Sequence, residues 1–344
     1  MGACAKEGRV MKEVKLDECW KQISVLSETL WENRAMGNKV KRWLENFKED
    51  EEKKWALFLL SKLMYFNSSN IRLLLKNLYE DLFRYPLIKN IRLNLGGCID
   101  ENKIEENYKE CLKKTCFLGV GNPSESGVHL LYYFRQENKI PKDLFVYTDD
   151  IIMFENGRQT INPTYTDRDF VFIDDLCGSG SQATSKNSNI KRCVECIRTL
   201  SPKSRISYFV LFGTTEGLNV VKNAKNSNGV FLFDCVEAVV EFDNSYKCFS
   251  DESRYFKNPV DRDSAKTMAL KYGLDLAKQI AVYEEFPDPD KYALRHALGF
   301  KDCQLLMSMH HNTPNNTLPI IWFDENEEKW FPIFKRYNKV YKKI

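Results

Sequence analysis

From residue 16 to about residue 110, apolar positions recur every three or four residues. Leu16-Asp17 opens a predicted helix that carries Trp20, Ile23, Leu26, Leu30 and Trp31 on one face. The same spacing predicts helices over Trp55–Tyr65 and Ile71–Phe83, with Asn67-Ser-Ser-Asn70 as break and N-cap. Beyond residue 110 the period changes. Short apolar runs at Thr115–Val120, Asp143–Thr148, Phe170–Ile173, Ile206–Phe212 and Gly229–Cys235 read as strands. Between them Val128–Gln136, Ile190–Leu200 and Thr214–Asn223 read as helices. Strands alternating with helices predict a parallel sheet with right-handed crossovers. Phe170–Ile173 is apolar on both faces, as suits a strand covered from both sides. The polar stretch 149–169 holds Asn156-Gly157 between alternating apolar residues, a hairpin signal. Later, Asp261–Val282 reads as an amphipathic helix, Pro287–Pro289 as a break and Gln304–Met309 as a strand.

Composition narrows the classes. The chain has 344 residues, 43% hydrophobic and 13% aromatic, enough for a sizeable core and for either one large domain with additions or two domains. Its net charge of +3 makes no global case for nucleic acid. No apolar run reaches membrane-span length, and the N-terminus has no apolar signal core. Lys6 breaks the myristoylation pattern that Met-Gly begins. Eleven irregularly spaced cysteines suit reduced thiols, so a cytoplasmic location is expected. Cys193-Val-Glu-Cys196 is a lone CxxC and reads as a helix face rather than a metal or redox site.

The chemistry concentrates after the central strand. Asp174 and Asp175 stand where Phe170–Ile173 should end and are both expected beside solvent. Gly178, Ser179, Gly180, Ser181 and Gln182 follow as a loop entering a helix. Glycines admit close backbone approach, hydroxyls donate, and free amides at a helix start favour an anion. In open α/β sheets such groups meet in the crevice beyond the strand ends. Other chemistries fare worse. No Gly-Lys-Ser/Thr follows a glycine loop, and no Gly-x-Ser-x-Gly elbow is present. His310-His311 would point to opposite faces of a strand.

The run Phe170 to Gln182 resembles the phosphoribosyl-pyrophosphate (PRPP) loop of type I phosphoribosyltransferases. Gln182 departs from the usual Ser or Thr, and Gly178 adds flexibility. The resemblance implies an α/β fold: a type I phosphoribosyltransferase-like parallel sheet with helices on both faces. To it are added an N-terminal helical cap (residues 1–110) and a C-terminal α+β extension (residues 241–344), around a core over 111–240. It implies roles as well. Residues 178–182 would take the 5′-phosphate; Asp174 and Asp175 would take the ribose hydroxyls and Mg2+. Gly121–Gly127 occupies the place of the pyrophosphate loop, with Asn122, Ser124, Glu125, Ser126 and Gly127 as candidates, though the usual basic residue is missing. The hairpin around Asn156-Gly157 would close over the ligand, with Arg158 and Arg168 as candidate phosphate contacts.

Asn312-Thr-Pro-Asn-Asn-Thr-Leu-Pro-Ile-Ile-Trp322, together with the helical N-terminus, resembles phosphoribosyltransferase-like effectors of bacterial antiphage systems, including retrons. Asn312, Asn315, Asn316 and Thr317 would then wall the acceptor pocket, or else form a capped turn. The implied partners are PRPP or a related nucleotide, and a reverse transcriptase with its non-coding RNA or other defence proteins. The implied reaction is displacement of pyrophosphate from PRPP by a nitrogen nucleophile. Two alternatives stay open. One is a PRPP- or nucleotide-sensing or partner-binding module without turnover. The other is a nucleic-acid-binding component, suggested by the Lys/Arg- and aromatic-rich tail from Lys329 to Lys343.

Overall fold

The computed structural model describes residues 16–120, 126–155, 158–186, 188–324 and 330–337. The described residues divide into two compact units, 16–66 with 245–337 and 67–244. The chain begins with helices α1 (Leu16–Thr29), α2 (Gly37–Leu44) and α3 (Asp50–Ser61), then strand β1 (Met64–Phe66). Tyr65, read as the last turn of a helix, instead sits in that strand.

The second unit opens with α4 (Ser68–Asn77), and Asn67 caps it by accepting from the Asn70 N–H. A π-helical segment (Leu78–Arg84), α5 (Tyr85–Asn94) and α6 (Glu101–Lys113) follow. Then come β2 (Thr115–Gly119), α7 (Ser126–Asn138), α8 (Thr148–Ile151) and the antiparallel pair β3 (Ile152–Glu155) and β4 (Arg158–Ile161). The centre is β5 (Asp169–Cys177), α9 (Ser181–Thr184), α10 (Asn189–Leu200), β6 (Ile206–Thr214), α11 (Thr215–Lys222) and β7 (Cys235–Phe242). β2, β5, β6 and β7 form a four-stranded parallel sheet in the order β2-β5-β6-β7, with β5 inside.

Both sheet faces are covered, as the apolar run of β5 requires. Phe170 and Phe172 join Tyr208 and Val210 beneath α10, which contributes Ile190, Cys193, Val194 and Ile197. On the opposite face Phe117 of β2 packs edge-on against Phe83 of the π-helical segment and tilts against Phe134 of α7. Cys193 lies in the core beneath α10 and Cys196 is buried beside it, and burial pushes the Cys193 thiol up to about 12. The described cysteines are free thiols.

Three expectations need correction. Residues 143–148 form no regular strand; Phe145 makes a single bridge to Phe117, preceded by a 3-10 turn at Lys142–Leu144. The last strand is Cys235–Phe242 rather than Gly229–Cys235. Residues 229–234 form no strand, with Phe231 bridged to Lys225, and the edge strand carries Glu237 and Glu241 among apolar residues. The third correction concerns boundaries: helices 68–113 belong with the sheet, so the division falls at Phe66 and Asn244 rather than at 110 and 240.

The first unit resumes with α12 (Pro259–Tyr283), α13 (Pro289–His296), β8 (Met307–Met309) and α14 (Pro319–Trp322). β8 pairs in parallel with β1. Its core joins Trp31, Trp43 and Phe47 to Trp330 and Phe334. Trp43 Nε1 donates to the Ile320 carbonyl at 2.9 Å. Thus Trp330 and Phe334 are core residues, not a stacking platform in an exposed tail; residues 338–344 lie outside the described residues.

Candidate active site at the end of the central strand

β5 runs four residues past Ile173, and its pairing explains how the two aspartates differ. The backbone of its odd-numbered residues faces β2: Asp169 N–H donates to the Lys114 carbonyl, and the Ile173 carbonyl accepts from Val120. The even-numbered residues face β6, as Phe170 N–H does in donating to the Arg205 carbonyl. β2 ends at Gly119 opposite Ile173, while β6 continues alongside through Cys177. The aspartates therefore stand where the sheet steps down from four strands to three.

Side chains alternate along a strand, so Asp174 and Asp175 point to opposite faces. Asp174 lies on the α10 face and is 2% exposed. Its Oδ2 accepts from the Tyr208 hydroxyl of β6 at 3.0 Å, and its Oδ1 accepts from the Asp175 N–H at 2.9 Å. Burial first, then the Asp174 carboxylate beside it, push the Tyr208 hydroxyl well above its ordinary range, so it stays a donor. Asp174 is thus a buried, hydrogen-bonded carboxylate; the expectation of solvent beside both carboxylates is corrected here. Asp175 is half-buried on the other face, the one on which α7 packs.

The loop after β5 is held, not flexible. The Gly178 carbonyl accepts from Thr214 Oγ1 of β6, and Thr214 Oγ1 accepts from the Gly217 N–H at 2.9 Å. α11 rests so closely on the loop that a Cβ on Gly217 would stand 2.1 Å from the Gly178 oxygen. Gly180 has φ +70° and faces the Gly217 carbonyl, so both its conformation and its surroundings call for glycine. Ser179 Oγ and Ser181 Oγ lie 2.9 Å apart, Thr184 Oγ1 donates to the Gly180 carbonyl, and Gln182 is exposed at the start of α9. Thr214 and Gly217 hold this loop, and sequence reading passed them over. The only signal was a Thr-Thr-Glu-Gly helix start, and nothing local shows that this start abuts a distant loop.

The other predicted residues fall as follows. Asn122, Ser124 and Glu125 lie outside the described residues, as do Asn156 and Gly157. Ser126 and Gly127 open the α7 backbone. Glu155 pairs with Arg158 across the two-residue connection, as the Asn-Gly signal requires. Arg168 donates to the Thr164 and Lys113 carbonyls at 2.9 and 3.0 Å, which ties down local backbone.

Asn312, Asn315, Asn316 and Thr317 belong to the other unit. There Asn312 Oδ1 accepts from the Tyr337 N–H, the Asn315 carbonyl from Phe300, and Thr317 Oγ1 donates to the Met307 carbonyl. Asn316 Nδ2 lies 3.2 Å from Cys303 Sγ. His310 and His311 rings meet edge-on in that unit. A groove of about 360 Å³ runs between β4 and α10, lined by Gln159, Arg192, Glu195, Cys196, Thr199 and Leu200, and so separate from the residues at the end of β5.

As a magnesium site the donor set offers little protein. No group of three or more His, Cys, Asp or Glu among the described residues could hold a metal ion. Adjacent carboxylates on opposite faces cannot both reach one ion directly. What fits is an ion held mainly by substrate oxygens and water, with Asp175 as the protein carboxylate, a common magnesium arrangement.

The chain matches a known family over most of its length. A model of PRTase-CE matches residues 40–336. The chain belongs to the PRTase-CE family. That family is of the phosphoribosyltransferase type, and the parallel sheet flanked by helices is consistent with it. No curated protein matches. Among solved structures, a hypothetical protein from Neisseria gonorrhoeae with bound ppGpp is similar at 9% identity, covering 53% of this chain and 85% of that one. Its TM-score of 0.27 carries no argument. No helix among the described residues is long and apolar enough to cross a membrane.

Proposed function

We propose that the carboxyl end of β5 binds PRPP and that this PRTase-CE protein transfers its phosphoribosyl group to a nitrogen nucleophile. The observation that carries the reading is the acidic step beside a clamped loop: Asp175 stands where β2 has ended, and residues 178–182 follow at once, held by Thr214 and Gly217. In the reaction the bond from the anomeric carbon to pyrophosphate breaks and a bond to nitrogen forms. Pyrophosphate takes the electron pair, and the nucleophile loses a proton.

The chain's part is positioning and charge. Residues Gly178 to Gln182 present backbone amides and hydroxyls to the 5′-phosphate. Asp175 accepts from ribose hydroxyls, with Asp174 behind it. Asn122, Ser124, Glu125, Ser126 and Gly127 are assigned to pyrophosphate, since α7 packs on the face that carries Asp175. Magnesium, when bound, would neutralise charge on the leaving pyrophosphate.

A cytoplasmic location and a role as toxic effector of a retron-type antiphage system are part of the proposal. A reverse transcriptase with its non-coding RNA is the expected partner, in line with the Asn312–Trp322 resemblance. The acceptor-pocket role of Asn312, Asn315, Asn316 and Thr317 is weaker, because these residues serve hydrogen bonds inside the first unit. A second reading, a PRPP sensor without turnover, is favoured by the engagement of Asp174 with Tyr208. Calorimetry with PRPP and a pyrophosphate-release assay separate the two. Binding with release supports the enzyme, binding without release supports the sensor, and absence of binding refutes both.

A further inference from the structure

At the step in the sheet a side chain accepts from a backbone amide. Asp175 N–H faces the side on which β2 has already ended. Its acceptor is Asp174 Oδ1 at 2.9 Å. The other oxygen of that carboxylate accepts from Tyr208 at 3.0 Å, and Tyr208 is 1% exposed. Asp174 pairs in register with Val210, so Tyr208 is its diagonal neighbour on the same face, within reach of a long side chain.

We propose that Tyr208 is a positioning residue: through Asp174 it fixes the backbone at Asp175 and so aims the Asp175 carboxylate at the ligand. The inference rests on the PRPP reading for the last link only. Rotation of the Asp174 carboxylate about its χ2 torsion would release the Asp175 amide. The tyrosine hydroxyl, anchored in the centre of β6, removes that freedom. The relay also divides labour between two adjacent aspartates that look equivalent in sequence. Asp174 acts on the protein, and Asp175 acts on the substrate.

The test is Tyr208→Phe in the full chain, which keeps the ring that packs against Phe233 and deletes only the donor. Two measurements are needed: residue-resolved amide exchange, and PRPP affinity by calorimetry. The Asp175 amide is expected to exchange about tenfold faster, with Val171 earlier in β5 and Phe209 in β6 unchanged, and the PRPP Kd is expected to rise about tenfold. A general loosening would speed all three amides and would overturn the inference, as would wild-type exchange at Asp175.

If Tyr208→Phe fails to fold, Asp174→Asn decides. It keeps Oδ1 for the Asp175 N–H, and its amide can donate back to the Tyr208 oxygen, so Asp175 protection should persist; its loss overturns the relay. If the wild-type protein does not bind PRPP, the substrate reading fails and the exchange pattern alone decides the relay. If Asp175 exchange responds while PRPP affinity stays at the wild-type value, the aiming role is refuted.

Discussion

Replacing Gly217 by alanine tests whether the loop after β5 is a built site. A Cβ at this position would lie 2.1 Å from the Gly178 oxygen, 2.8 Å from its carbonyl carbon and 2.9 Å from the Cys177 oxygen. All three are backbone atoms, so no side chain can swing aside. The loop and α11 must separate by more than an ångström, which breaks the geometry of the Thr214 bonds to Gly178 and Gly217. Overpacking costs about 1–3 kcal/mol. Two weakened hydrogen bonds add about 1 kcal/mol each, and the gain in helix propensity returns about 1 kcal/mol. A net loss of about 2–4 kcal/mol corresponds to a fall in melting temperature of about 4–16 °C for a domain of this size.

Displacing the amides around Ser179–Gln182 should also raise the PRPP Kd at least about tenfold. Thermal melts and PRPP calorimetry read both effects. Gly37→Ala is the control: no atom lies within 4 Å of its added Cβ, so stability and PRPP affinity should hold. A Gly217→Ala protein with wild-type melting and wild-type PRPP affinity would refute the clamped loop.

Asp175→Asn should weaken PRPP binding at least about tenfold without moving the melting temperature. Asp174→Ala should itself cost about 1–3 kcal/mol, because it strands the Tyr208 hydroxyl and the Asp175 N–H. Equal melting of the two variants would contradict this asymmetry. His296 packs 4.1 Å from Tyr292 and 4.7 Å from Phe300, its Nδ1 is buried without a hydrogen-bond partner, and burial lowers its pKa. Below its ordinary value of about 6.5 the unfolded chain binds a proton that the folded chain refuses, so stability should fall as pH drops through that point. Denaturant melts from pH 7.5 to 5 should show this slope, and His296→Phe should flatten it. The paired residues of β3 and β4 should exchange amide protons faster than β5 and slow down with PRPP present. Equal rates in the free protein would argue against a closing hairpin.

Much of the second unit was legible because its signals are local. Four apolar residues in a row announce an inner strand whatever surrounds them. Asn-Gly signals a hairpin, and β3 and β4 pair on either side of it; Asn67 caps α4 with an atom three residues away. Where local signals compete, reading failed. Asp143–Thr148 is apolar enough for a strand, yet the chain there makes one bridge to Phe117 and then turns helical at Thr148. Gly229–Cys235 lost to Cys235–Phe242 because the half-exposed edge strand carries Glu237 and Glu241 among its valines, which weakens the apolar signal that a buried strand shows.

From sequence alone came the strand, the two carboxylates and the glycine-serine loop, because their order along the chain is their order at the site. What only the tertiary structure decided is which aspartate does what. That depends on where β2 stops relative to β5 and on a tyrosine 34 residues away, and no periodicity within one segment encodes either. The same holds for Gly217, whose missing Cβ matters only because Gly178 lies against it. It holds too for Trp330 and Phe334, whose basic neighbours suggest a surface but which an aromatic core takes in. A segment's own pattern sets its conformation; burial is set by the partners that distant chain brings to it.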